Sequence, residues 1–300
     1  MFGAFPLRFI TTALLASAAL GLSSPALAQS STVTPPDGGA AADAAGEFDL
    51  SGDSITIGAG IASVPDYEGS DDSRLTPAPG AIGSYKGINF QLAGNRFSAD
   101  LIPSKSGSID FQAGPVAVVN FSRSSIKNID DRRVRALGEL GTAIELGGYV
   151  GVGKTGIITS PYDRLSVSVS YRHDVNGVHD SGIWQPTINY LTPLSTKAAV
   201  GLFASAEHAD DGYADTYFSV TPAQTVASGL PTYRARGGWK NYTLGALGTY
   251  SLTGNLLHGL KVVGGGTYSR LLNDFGDSPV VSIAGSRGQW LGVLGLAYTF

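Results

Sequence analysis

One pattern constrains this chain more than any other: two-residue alternation, repeated along most of its length. Leu165, Val167, Val169 and Tyr171 alternate with Ser166, Ser168, Ser170 and Arg172. A period of two places alternate side chains on opposite faces of a strand. Ile55, Ile57, Ala59 and Ile61 share a face in the same way. Ile109, Phe111, Ala113, Ala117, Val119 and Phe121 stand opposite Asp110, Gln112 and Asn120. Further sets follow at Leu140–Val150, Trp184–Tyr190, Ala198–Ala204 and Tyr242–Leu252. The segments run about 10–14 residues, against 5–6 for common globular strands. A tilted strand crossing a bilayer needs about 9–11. Apolar faces that begin or end in aromatic residues fit an interfacial girdle. The expected fold is all-β, a transmembrane antiparallel up-and-down barrel.

The remaining sequence agrees. No stretch of 18 apolar residues exists to form a membrane-crossing helix. Charged residues are 15% of the chain and there are 41 glycines, a low charge and high glycine content for a soluble protein. Net charge is −4, which disfavours a nucleic-acid partner. The absence of cysteine removes disulfides, thiolate metal sites and cysteine nucleophiles. Residues 1–28 read as a secretory signal: Arg8, an apolar run from Phe9 to Leu22, then Ala26-Leu27-Ala28. Residues 29–53 are Ala-, Gly-, Pro- and Asp-rich and read as a flexible periplasmic lead-in, with the barrel at 54–300.

Phe300, Tyr298, Leu296, Leu294 and Trp290 fall on one face of the last strand. A final Phe with an aromatic two before it looks like the assembly signal read by the outer-membrane barrel-assembly machinery; Tyr298 and Phe300 carry it. Loop-length parity sets the strand count, because bacterial barrels alternate short periplasmic turns with longer outer loops. Parity gives 10 strands if Pro79–Leu101 is one long strand bulged near Gly94 and His208–Gly238 is one outer loop. Splitting both regions gives 12. Pro115 and Pro186 each remove a ladder hydrogen bond, so bulges are expected there. Asn128–Leu137 is the one candidate for a helical turn.

Catalytic and metal chemistry finds little support. His179 beside Asp180, or His208 near Asp210 and Asp211, has the composition of a rim hydrolase, but adjacency in a loop does not supply base and nucleophile geometry. Both read better as solvated loop residues. Asp66, Glu68, Asp71 and Asp72 could offer oxygen ligands to a divalent cation, but their spacing is not that of an EF-hand, and a solvated loop is the simpler reading. Glu139, Glu145, Arg172, Lys197, Glu207 and Lys261 are expected in the lumen. Mixed charge in a narrow barrel suits a side-chain-filled interior better than a wide pore.

Pro65-Asp66-Tyr67-Glu68-Gly69-Ser70 follows the first strand, Gly229-Leu230-Pro231-Thr232-Tyr233 lies in a long loop, and the chain closes on Tyr298-Thr299-Phe300. This combination resembles the MipA/OmpV family of outer-membrane proteins over about 54–300. The resemblance implies a barrel in the cell outer membrane with no enzyme activity or cofactor. It further implies a scaffold joining a murein hydrolase to a murein synthase; the alternatives are a small-solute channel, an adhesin or, more remotely, a rim hydrolase. Partners beyond lipid and the assembly machinery are then peptidoglycan enzymes. Loop parity puts Tyr67 and Glu68 on the outer rim, which leaves the short turns or residues 29–53 for docking them.

Overall fold

The computed structural model describes residues 54–103, 109–160 and 162–300. The expected signal and lead-in segment, 1–53, lie outside the described residues. Twelve antiparallel strands close into a barrel in sequence order, and β12 returns to pair with β1. The strands are β1 (Ser54–Pro65), β2 (Ser73–Tyr85), β3 (Ile88–Ala93), β4 (Arg96–Asp100), β5 (Asp110–Asn120) and β6 (Ala143–Thr155). They continue as β7 (Arg164–Asp174), β8 (Gly182–Pro193), β9 (Ala198–Ala209), β10 (Gly238–Ser251), β11 (Gly259–Leu271) and β12 (Gly288–Thr299). The long-loop end is the outer end by the convention of bacterial barrels.

The expected count of 10 is corrected to 12, and the reason is local. Pro79–Leu101 is not one bulged strand. Tyr85 pairs with Ile88 across Lys86 and Gly87, both at positive φ, as a two-residue hairpin requires. Ala93 pairs with Arg96 across Gly94 and Asn95, with Gly94 at φ +57°. Splitting that region alone adds two strands; the link between β9 and β10 stays a single loop.

The β3–β4 hairpin is short, so β2 pairs with β3 only from Gly80 to Tyr85. Gly94 N donates to Pro79 O at 3.0 Å. By the alternation of an antiparallel ladder, Pro77 turns to the same side. At the hairpin tip and just beyond it, this edge of β2 therefore carries Pro79 and Pro77, which have no N–H for another strand to use.

Bulges do not form at Pro115 or Pro186. The β8–β9 ladder lapses at Pro186 and resumes without a register shift; the β4–β5 ladder ends at Ser98–Val116, and beyond Pro115 only Leu101 N donates to Ala113 O, in the same register. The shift occurs between Trp239 and Asn241 of β10 against β9, making Lys240 the extra residue.

Outward faces match the alternation. Val167 is 46% exposed while Ser166 and Ser170 are buried inside. Aromatic contacts on the lipid face cluster near the outer end, where Tyr268 lies 4.9 Å from Trp290 and Tyr171 lies 4.7 Å from Trp184. They recur at the other end, where Tyr298 lies 4.8 Å from Phe300.

The outer loops fold into the barrel mouth as short helices: α1 (Arg132–Ala136), α2 (Asp211–Phe218), α3 (Pro222–Ser228), α4 (Asn273–Asp277) and α5 (Pro279–Ser282). Thr221 and Gln224 form a reciprocal capping box at the start of α3, Pro222 opens it, and Gly229 ends it at φ +75°, as local chemistry dictates. Tyr213, Ala214, Tyr217 and Phe218 of α2 bury against Leu271, Phe275 and Val281. A second cluster joins Tyr67, Ile129, Val134, Leu137, Val220, Leu230, Val280 and Ala284. At the short-turn end, Leu256 tucks inward against Ile82 and Ala199.

Candidate functional site

Beneath the helices, the lumen is crossed by a buried ionic layer built from four strands, one loop and one helix. Arg172 of β7 holds Glu145 of β6 at 2.6 Å and Glu207 of β9 at 2.6 Å. Lys240 of β10 sits 2.6 Å from the other oxygen of Glu207 and 2.7 Å from Glu68 in the β1–β2 loop. The bulge explains its position: Lys240 and Asn241 are consecutive yet both buried, an aim that regular alternation forbids. Tyr213 of α2 donates its hydroxyl to Glu68 at 2.7 Å, and its ring centroid lies 4.6 Å from the Lys240 ammonium. Asn120 donates to Glu145 at 3.1 Å, and Gln185 accepts from Arg172 and Arg96. Each carboxylate is thus met by a cation or a donor, which a buried charge requires. Burial, then the Glu68 carboxylate, pushes the Tyr213 phenol well above its ordinary value, so it remains a donor.

The Pro65–Ser70 motif is at the outer end, as loop parity requires, but it is turned inward rather than displayed on the rim. Tyr67 is 1% exposed and donates to the carbonyls of Ala284 and Val280 in the β11–β12 loop. Burial, reinforced by Asp131 and Asp71, raises its phenol. Asp66 accepts from Asp130 N at 3.1 Å. Gly69, at φ +100°, donates its N–H to Gln289 Oε1 at 3.2 Å, and Gln289 Nε2 donates to Ser70 O at 2.9 Å. Ser70 Oγ accepts from Asp72 N at 3.1 Å. The motif is a clasp joining the β1–β2 loop to three other outer loops. It is not a solvated acidic loop: Asp66 and Glu68 are buried and committed, while Asp71 and Asp72 are exposed.

Several expected positions move. Glu139 lies in the β5–β6 loop, where it accepts from Ile126 N. Lys197 is in an exposed turn. Neither is in the lumen, because β6 begins only at Ala143 and β9 only at Ala198. Glu145, Arg172, Glu207 and Lys261 are inside; Lys261 donates to Thr299, which itself accepts from Thr56. His179 is not solvated and does not pair with Asp180. It is buried, with Nε2 3.3 Å from Glu145 and Nδ1 2.9 Å from Ser181 Oγ. Serine, imidazole and carboxylate stand in hydrolase order, but Tyr213 and Tyr217 rings lie 5.0 and 5.9 Å from the imidazole. Ser181 is 6% exposed, so the hydroxyl faces packed protein. His208 is half-exposed, 3.9 Å from Asp210. Tyr298 pairs with Ile57, and Phe300 N donates to Ile55 O at 3.0 Å. These two residues therefore lie on the seam that closes the barrel.

A closed antiparallel barrel with an apolar outer belt and aromatic girdles defines the class: an outer-membrane β-barrel protein. Residues 57–300 match the family described as MltA-interacting protein MipA, and the chain belongs to that family. No curated protein matches it. Among solved structures, the COG4313 outer membrane channel from Pseudomonas putida F1 is similar at 10% identity and a TM-score of 0.42. That similarity covers 83% of this chain and 96% of the channel. OprD from Pseudomonas aeruginosa is similar at 9% identity and a TM-score of 0.33, covering 83% and 92%.

Proposed function

We propose that this protein is a non-enzymatic scaffold of the outer membrane that holds peptidoglycan enzymes at its periplasmic face. The observation that carries this reading is the filled outer mouth. Helices and a buried ionic layer occupy the cross-section where a general porin keeps an aqueous bore. A barrel that spends its outer loops on closing itself acts through what it holds rather than through bulk flow. The family description, an MltA-interacting protein, supports a protein partner, and the resemblance supplies its class: a murein hydrolase and a murein synthase. The inward turn of the Pro65–Ser70 motif leaves the periplasmic turns and the lead-in segment to dock them.

Crosslinking in intact envelopes, followed by identification of the bound proteins, tests this. Murein enzymes should be recovered, and the purified barrel should show no porin-scale ion conductance in planar bilayers. Steady conductance with no murein enzyme crosslinked would replace the scaffold with a channel.

A further inference from the structure

Charge is arranged differently at the two ends of the barrel. At the outer end, cations and carboxylates on the surface intermix: Arg133 pairs with Asp131, and Arg287 with Asp277. At the periplasmic end they are segregated by depth. Its three side-chain carboxylates, Asp100, Asp110 and Asp163, are buried. Asp110 holds Arg164, Asp100 accepts from Ile102 N and Ala113 N at 3.1 Å, and Asp163 is committed to the amides of its own turn. Three lysines are exposed there: Lys86 in the β2–β3 turn, Lys154 near the end of β6 and Lys197 in the β8–β9 turn. No exposed side-chain carboxylate lies at this end among the described residues. Ile157 and Ile158 of the β6–β7 turn and Leu194 of the β8–β9 turn are exposed as well, so the rim presents ammonium groups between apolar side chains.

The segment that enters the barrel at this end has the opposite sign. Residues 29–53 carry Asp37, Asp43, Glu47, Asp49 and Asp53, and no Lys or Arg. In Glu47-Phe48-Asp49-Leu50, acids alternate with apolar residues, a pattern complementary to the rim. The point of attachment is the rim itself: Ser54 opens β1 and pairs with Ser84, two residues before Lys86. The length also suffices. From the β2–β3 turn to the β8–β9 turn is six strands, roughly 30–40 Å along the rim. The 25 residues of the segment can span up to about 80–90 Å.

We propose that the acidic segment 29–53 docks onto the lysine rim of its own barrel and covers the periplasmic face. A single exposed ion pair is weak. A tethered segment binds at a high effective concentration, however, so several weak pairs act together. The contact is reversible and salt-sensitive, because the lysines are exposed and salt screens exposed charges. One consequence rests on the scaffold reading: an enzyme docking at the periplasmic turns must displace the segment, so the chain carries its own competitor for that surface.

The absence of cysteine allows two spin labels to be placed without background, at Ala41→Cys in the segment and Thr196→Cys beside Lys197. The full mature chain is reconstituted in phosphatidylcholine liposomes with no murein enzyme present, and the distance between the labels is measured by spin–spin coupling. At low salt the labels should show a narrow, short-range population. It should broaden and lengthen in about 1 M potassium chloride, where the screening length is about 3 Å. Adding Lys86→Gln, Lys154→Gln and Lys197→Gln together should give the broad distribution at low salt as well; heat-modifiable migration verifies that this variant is folded. A broad distribution in the lysine-bearing chain at low salt, or a narrow one that survives the three substitutions, would overturn the proposal. So would loss of the short distance when phosphatidylglycerol is added to the liposomes, which would assign the lysines to lipid headgroups. Because no enzyme takes part, failure here leaves the scaffold reading standing, and failure to crosslink murein enzymes leaves the docked segment standing.

Discussion

Lys240 is held between Glu68 and Glu207 at 2.7 and 2.6 Å with essentially no solvent contact, so its importance lies in what its removal leaves behind. Lys240→Met has similar length and no charge. Glu207 would keep Arg172, but Glu68 would retain only the Tyr213 hydroxyl. Removing one partner of a buried ion pair costs about 3–5 kcal/mol. The variant should unfold at markedly lower denaturant, measured by loss of the heat-modifiable band, and adding Glu68→Gln should recover part of the loss. A single-variant loss under about 1 kcal/mol, the range of exposed pairs, would mean that the layer is wetter than its burial indicates. The sequence carried a signal for this residue. Lys240-Asn241 puts two polar residues in succession between Trp239 and Tyr242, a phase slip in an alternating strand, which is how a bulge reads. Nothing comparable marked His179, whose burial depends on α2 arriving from a loop more than thirty residues downstream.

Among the elements, the β6–β7 turn shows how one carboxylate organises a segment. Asp163 accepts from the backbone N–H groups of Ile157, Ile158, Thr159 and Ser160 and from the Tyr190 hydroxyl. Burial pushes its carboxyl up, but these hydrogen bonds outweigh burial and hold it well below the ordinary value. A carboxylate depressed in the folded state contributes stability that is fully present above its unfolded pKa, about 3.9, and is lost as pH falls toward the folded value. Amide exchange at Ile157–Ser160 should therefore be protected at pH 6, and that protection should fall below about pH 3. Asp163→Asn should loosen the turn at neutral pH; protection unchanged in that variant would remove the carboxylate from the account. The long strands were legible because period-two alternation sustained over a membrane-spanning length arises in few folds besides a lipid-facing barrel. The β3–β4 hairpin was not, because Lys86 occupies a left-handed position usually given to Gly, Asn or Asp, and because strands of six and five residues fall short of a spanning length. Gly94-Asn95 is a turn signal that is equally compatible with a bulge inside one long strand.

At the scale of the whole molecule, closure depends on the first and last strands, with Thr56 bonded to Thr299 across a separation of 243 residues. Deleting Phe300 removes one backbone bond to Ile55 and one ring against Tyr298, so the loss of intrinsic stability should be small. If Tyr298 and Phe300 also form the assembly signal, as we propose, the deletion should refold nearly normally from urea into micelles yet fail to assemble in cells. Equally mild effects in both settings would reduce Phe300 to a girdle residue. The barrel class and its closing seam were readable because both follow from alternation and parity; the filled mouth was not, since it depends on contacts between loops remote in sequence. The proline-bearing edge of β2 has a consequence for how copies of this protein meet in a crowded bilayer. Two sheets zip together only when each supplies donors to the other's acceptors, and here Pro77 withholds one where the hairpin falls short. A second copy approaching this flank would find no donor at Pro77, which disfavours strand-to-strand zipping at that point.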